Sequence, residues 1–172
     1  EEFMPMAEFA VSLNRDAEGA DRSQRALEQA LGERLTLHRR VDGKPELLGI
    51  TVGRTSRLPG QWAPCQVTAA HTGTLTLAAA GPGTLGCDIE TVLPRSAQSW
   101  EDLLGAERFK LATLIAREST EDADAAATRV WVARECLKKA GATLDAPLVL
   151  AKTHQDGWVL LDPLGRVFLL FQ

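Results

Sequence analysis

A chain of 172 residues that is 45% hydrophobic and 24% charged has the make-up of an ordinary globular protein, one large domain or two small halves sharing a core. Its net charge of −4 argues against a nucleic-acid binder, and no apolar run approaches a membrane span or a signal peptide. The three cysteines, Cys65, Cys87 and Cys136, include no CxxC pair, so they suggest neither a disulfide framework nor a zinc site and fit a reducing, cytoplasmic setting.

The charge is unevenly spread. Residues 15–57 carry nine Arg/Lys against seven Asp/Glu, and residues 88–135 carry six against ten. A basic half beside an acidic half suits a phosphorylated ligand held with a metal, although chance scatter gives the same asymmetry. The chain opens Glu-Glu-Phe without an initiator Met, which fits either a domain cut from a longer chain or a tag remnant.

In chain order, Ala7–Leu13 reads as a first strand, followed by a polar loop over Asn14–Asp21. Asp21 can cap a helix over Arg22–Leu35, where Leu27, Leu31 and Leu35 form an apolar stripe. Leu35–Val41 and Leu47–Val52 read as strands around a turn at Asp42-Gly43-Lys44-Pro45. Gly53–Pro64 is a long loop. Gln66–Ala70 and Thr74–Ala80 form a meander about His71-Thr72-Gly73 that leads into Leu85–Val92. Ser99 is a candidate cap for a helix over Trp100–Leu104, and a second helix spans Ala106–Arg117. A longer helix covers about Ala123 to Ala140, with Val130, Ala133, Leu137 and Ala140 on one buried face and Gly141 as its stop. Three short strands follow: Leu148–Lys152, Trp158–Leu161 and Arg166–Phe171.

Two stretches carry potential chemistry. Leu85–Val92 reads as a strand with Cys87 and Ile89 on one face and Asp88 and Glu90 on the other. Two carboxylates on one face repel unless they are solvated or share a divalent cation. On the long helix, Trp131, Glu135 and Lys139 lie on one line at i, i+4 and i+8. Alone, Glu135 and Lys139 are an ordinary surface pair, worth about 0.3–0.5 kcal/mol. Lys138 instead follows Arg134 at i+4 on a neighbouring basic strip.

Together these stretches resemble a family. Gly86–Glu90, Gly-Cys-Asp-Ile-Glu, resembles the Gly-x-Asp-(Ile/Val)-Glu signature of the 4′-phosphopantetheinyl transferases. Trp131–Lys139 resembles their Trp-x-x-Lys-Glu-(Ala/Ser)-x-x-Lys signature. Ala70-His71-Thr72 resembles the Ser-His-Ser of the larger members, and Gly43-Lys44-Pro45 their Gly-Lys/Arg-Pro turn. The matches fall in the family's order and cover residues from about 25 to 140. The chain departs from the pattern at Arg134, which stands for a lysine, at Ala70, which stands for a serine, and in the length of the Gly53–Pro64 loop.

The resemblance implies an α+β fold of two similar α/β halves, each a helix on a small antiparallel sheet, in the pseudo-dimeric arrangement of the larger transferases. Residues 1–82 would bind the coenzyme A phosphates, and residues 83–172 would bind metal and carry the catalytic groups. The implied reaction moves 4′-phosphopantetheine from coenzyme A to a serine of an acyl or peptidyl carrier protein, releasing 3′,5′-ADP. Mg²⁺, or Mn²⁺, would be held by Asp88, Glu90 and Glu135. Lys139, His71, Thr72 and Lys44 would meet the pyrophosphate, and Arg25, with Arg22 less directly, the 3′-phosphate. Asp88, Glu135 and Lys139 would be the catalytic set, with Glu135 or a water on the metal taking the serine proton.

The resemblance also implies a monomer, or a domain of a larger synthase, with no nucleic-acid or membrane partner. A degenerate relative retained as a docking module is the alternative, kept open by Ala70 and Arg134. A Mg²⁺-dependent nuclease built on Asp88, Glu90 and a distant glutamate is disfavoured by the acidic net charge and the lack of a basic groove.

Overall fold

The structure is a computed structural model that describes residues 10–15, 22–32, 34–41, 45–51, 65–143, 145–153, 157, 159–162 and 168–170. It is a mixed α+β chain with small antiparallel sheets. It divides into two compact units, Glu1–Ile89 with Lys139–Gly141, and Glu90–Lys138 with Ala142–Gln172. No helix among the described residues is long and apolar enough to cross a membrane.

The first unit holds β1 (Ala10–Arg15), α1 (Arg22–Leu31), β2 (Arg34–Arg39), β3 (Pro45–Thr51), β4 (Cys65–Thr72) and β5 (Leu75–Pro82). β2 pairs with β3, and β5 lies between β1 and β4, all antiparallel. The central strand β5 is buried on both faces, and its period of two sorts its small residues between them. Ala78 and Ala80 pack with Ala26 and Leu27 of α1 and Leu35 of β2. Ala79 packs on the other side with Ala70 and Cys87, joined by Leu77, Leu85 and Ile89. Ser12 fastens β1 to α1, its hydroxyl donating to the Ala26 carbonyl at 2.6 Å.

Two expectations change here. The helix stops at Leu31, not Leu35, because Gly32 takes φ +70 and its N–H closes on the Glu28 carbonyl at 2.8 Å. Leu35 is buried instead as a strand residue. Residues 85–92 lie in no ladder and are not a strand. They still alternate, since Leu85, Cys87 and Ile89 all face the core under β5. The Cys87 N–H donates to Thr68 Oγ1 at 3.3 Å, which fixes this segment against β4.

The second unit holds α2 (Ala97–Leu104), α3 (Ala106–Ser119), α4 (Ala123–Lys139, its last residue grouped with the first unit), β6 (Val149–Thr153), β7 (Val159–Asp162) and β8 (Phe168–Leu170). β7 is the middle strand of an antiparallel three-stranded sheet. The core joins Trp100, Leu104, Leu111 and Ile115 of α2 and α3 to Ala126, Val130 and Ala133 of α4, and to Val159 and Leu161 of β7. Ser96, rather than Ser99, caps α2, accepting the Ser99 N–H at 3.1 Å. Asp122 accepts the Asp124 N–H at 2.8 Å at the start of α4. Arg129 is 5% exposed, and its guanidinium grips Glu121 at 2.9–3.0 Å and the Gly157 carbonyl at 2.9 Å. That clamp ties α4 to the segment ahead of β7.

Candidate anion-binding site

The hairpin of β4 and β5 sets the centre of the site. Its loop is Gly73-Thr74, and Gly73 takes φ +52, which costs glycine little. Counting outward, Thr72 faces Leu75 and His71 faces Thr76. Cross-strand partners project to the same side, so ring and hydroxyl meet: His71 Nδ1 lies 3.1 Å from Thr76 Oγ1. From the first turn of α1, Ser23 Oγ reaches the other ring nitrogen, Nε2, at 3.0 Å. Ser23 and Thr76 are 1% and 0% exposed. Arg39 of β2 donates from Nη2 to Ser23 Oγ at 3.2 Å. Arg22 donates from Nη1 to the Gly73 carbonyl at 3.1 Å, tying the helix start to the hairpin loop.

Burial, first, holds the His71 pKa below the usual 6.5, and the charges of Arg22, Arg39 and Lys139 press it the same way. Three cations therefore act on one imidazole. Like charges gathered in a partly desolvated place favour an anion, and guanidinium forks match the oxygens of a phosphate.

Lys139 leaves the end of α4 to join the first unit. Its ammonium donates to Asp88 Oδ1 at 2.6 Å and to the Cys87 carbonyl at 3.1 Å. Both side chains are largely buried, at 27% exposure for Lys139 and 14% for Asp88. Burial pushes the neighbouring Cys87 thiol up to about 11, so it stays protonated and unreactive near neutral pH. A cavity of about 320 Å³ opens beside Lys139, lined also by Gln66, Gly83, Thr84, Leu85 and Ala140.

Of the residues expected from the sequence, Asp88, His71, Thr72, Arg25 and Lys139 all belong to the first unit. Thr72 is half-buried at the end of β4, and Arg25 is exposed on α1, one turn beyond Arg22. Lys44 lies outside the described residues. Glu90 and Glu135 belong to the second unit. The exposed Glu90 accepts the Thr91 N–H at 2.9 Å, and Glu135 pairs with Lys138 at 3.3 Å. Lys138 thus pairs one turn back with a carboxylate while remaining largely exposed.

Arg134 does structural work within its unit. It stacks 5.4 Å from the Trp131 ring and donates from Nη1 to the Leu103 carbonyl of α2 at 3.2 Å. Among the described residues, no group of three or more His, Cys, Asp or Glu is placed to hold a metal ion.

The sequence reading missed Ser23, Thr76 and Arg39. For Thr76 a signal existed, because a two-residue loop at Gly73-Thr74 obliges His71 to face Thr76. For Ser23 and Arg39 there was none, since their contact depends on how α1 and β2 dock. No family model matches the chain, and no curated protein matches it.

Proposed function

We propose that this protein transfers the 4′-phosphopantetheine group of coenzyme A to a serine of an acyl or peptidyl carrier protein and releases 3′,5′-ADP, within a pseudo-dimeric fold of two similar halves. The observation that carries the reading is the cluster of His71, Arg22, Arg39 and Lys139 in one unit, because a pyrophosphate needs such a concentration of donors and positive charge. Three of the motifs that resemble the transferases place residues in or beside that cluster: Ala70–Thr72, Gly86–Glu90 and Trp131–Lys139.

Asp88, Glu90 and Glu135 are the carboxylates we assign to Mg²⁺ or Mn²⁺, whose hardness suits oxygen donors. Carboxylate oxygens are the donors such a cation takes, and at Asp88 it has to displace the Lys139 ammonium, which now sits 2.6 Å from Oδ1. When bound, such a cation neutralises charge on the pyrophosphate. The chain's own residues do the rest. Arg22 and Arg25 hold the 3′-phosphate, and Arg39 and Lys139 meet the pyrophosphate. Glu135 takes the proton of the attacking serine hydroxyl, whose oxygen bonds to the phosphorus bearing the pantetheine arm as the bond from that phosphorus to the 3′,5′-ADP oxygen breaks.

Incubation with coenzyme A, Mg²⁺ and a panel of apo carrier proteins, read by carrier mass, tests this directly. A gain of one phosphopantetheine is the expected result, and unchanged mass across the panel overturns the reading. One observation favours the docking-module alternative. The Lys139 ammonium sits 2.6 Å from Asp88 Oδ1, so a catalytically lapsed chain would need no metal to satisfy that carboxylate. Coenzyme A binding without transfer is its signature.

A further inference from the structure

We infer that Ser23 and Thr76 are positioning residues that clamp the His71 ring on both nitrogens, and that the clamped ring, through Ser23, aims the Arg39 guanidinium at the bound phosphate while the imidazole itself stays off it. The inference deepens the transferase reading and rests on it for the identity of the anion.

The geometry leaves the ring no nitrogen to offer. Nε2 is taken by Ser23 Oγ at 3.0 Å and Nδ1 by Thr76 Oγ1 at 3.1 Å. Both hydroxyls are fully buried, so water does not compete for them. A consistent run of donors exists. Arg39 donates to Ser23 Oγ, the Ser23 hydroxyl donates to Nε2, and Nδ1–H donates to Thr76 Oγ1. This assigns the neutral Nδ1–H tautomer from the network. The neighbouring cations agree, since they disfavour an imidazolium. The exposed Arg39 is then the member of the run that a ligand can reach.

Serine, histidine and threonine in this order also resemble a nucleophile with its base and orienting group. Ser23 is 1% exposed and accepts from Arg39, so no acyl or phosphoryl substrate reaches it. Its role is therefore positional.

The test uses the whole chain and inorganic pyrophosphate as the probe, so it does not depend on transfer being observed. In ¹⁵N-resolved NMR the His71 ring should show the neutral Nδ1–H tautomer, unchanged at saturating pyrophosphate. A ring that becomes doubly protonated, or whose Nε2–H appears on the ligand, overturns the inference. Calorimetric titration should show Ser23→Ala and Arg39→Ala each weakening pyrophosphate on the order of tenfold, with the double variant no weaker than either alone. Fully additive losses sink the proposed coupling. Ser23→Thr should restore wild-type binding. If Ser23→Ala proves unfolded by circular dichroism, the wild-type ring measurement and Thr76→Val against Thr76→Ser still decide. Labelling of Ser23 by a fluorophosphonate would make it a nucleophile and refute the positioning role. A failed carrier assay with the ring and titration results intact would refute the transferase reading alone.

Discussion

In the second unit, Arg129 lies 5% exposed with its guanidinium closed on the Glu121 carboxylate and the Gly157 carbonyl. In the first unit, Arg22 donates to the Gly73 carbonyl and Arg39 to the Ser23 hydroxyl, and burial together with their charges holds down the pKa of a histidine. The first arrangement spends its charge inside the fold and gives a rigid brace between α4 and the segment ahead of β7. The second sets the charges of Arg22 and Arg39 beside the His71 ring and, with burial, disfavours its protonation. Number and type of basic residue do not separate the two regions. What differs is where the guanidinium charge acts, on a carboxylate in the second unit and on a titratable ring in the first.

Removing the brace should have the largest effect. Arg129→Ala leaves the Glu121 carboxylate, 12% exposed, without its guanidinium. Breaking a buried pair by deleting one member costs about 3–5 kcal/mol. Urea unfolding should show that loss. A change below about 1 kcal/mol would mean that the pair is no brace and that the contrast between the units is wrong.

Local pattern made part of this legible. Of the face expected at Val130, Ala133, Leu137 and Ala140, the first three are buried as their spacing requires, while Ala140 is half-buried and lies past the end of α4 at Lys139. The alternation of Leu85, Cys87 and Ile89 is real, but it reports an extended backbone lying on a core and carries no information about a neighbouring strand. Ser99 was the expected cap of α2, but the helix starts three residues earlier, at Ala97, so Ser96 takes the cap position and accepts the Ser99 N–H. At the site, His71 and Lys139 stood out through their motifs. Ser23 and Arg39 did not, since a helix meeting a sheet is a long-range event with no local signature. Arg134 differs in kind. It departs from the lysine of the resembled motif, and its stacking on Trp131 and its bond to the Leu103 carbonyl use it for packing.

Lys139→Ala carries the next largest effect. Lys139 is the cation that touches Asp88 and presses on His71 within the first unit. On the transferase reading it neutralises the leaving phosphate, and its loss should slow turnover on the order of 10²-fold, as for removal of one contact to developing charge. Single-turnover kinetics at saturating coenzyme A isolate that step. An unchanged rate would assign Lys139 to Asp88 alone and leave the anion to the arginines.

Acid titration sharpens the contrast from another side. The unfolded His71 ring titrates near its usual 6.5, and the folded ring titrates lower. Below 6.5 the unfolded chain therefore binds protons that the native state refuses. The stabilisation is complete above 6.5 and is lost as pH falls through the folded value. His71→Gln should flatten that part of the stability profile measured by urea unfolding across the window. A slope that persists in the variant would place the proton uptake elsewhere.

The smallest effect belongs to Lys138, adjacent to Lys139 on α4 but about 100° around the helix. It meets Glu135 at 3.3 Å, and its own side chain is 61% exposed. Solvent screens such a pair, and exposed i,i+3 pairs contribute at most about 0.5 kcal/mol. Lys138→Ala should leave the melting temperature within error and leave the single-turnover rate with coenzyme A unchanged. What it should alter is the encounter with an acidic carrier protein, raising the apparent KM and weakening its dependence on salt, because a rim charge acts mainly on association. The two lysines are thus a paired control, with the same residue type, the same helix and neighbouring positions, but different partners. If Lys138→Ala abolished turnover while Lys139→Ala did not, the functional face of α4 would be the one carrying Arg134 and Lys138, and the cluster about His71 would lose its claim to the reacting phosphate.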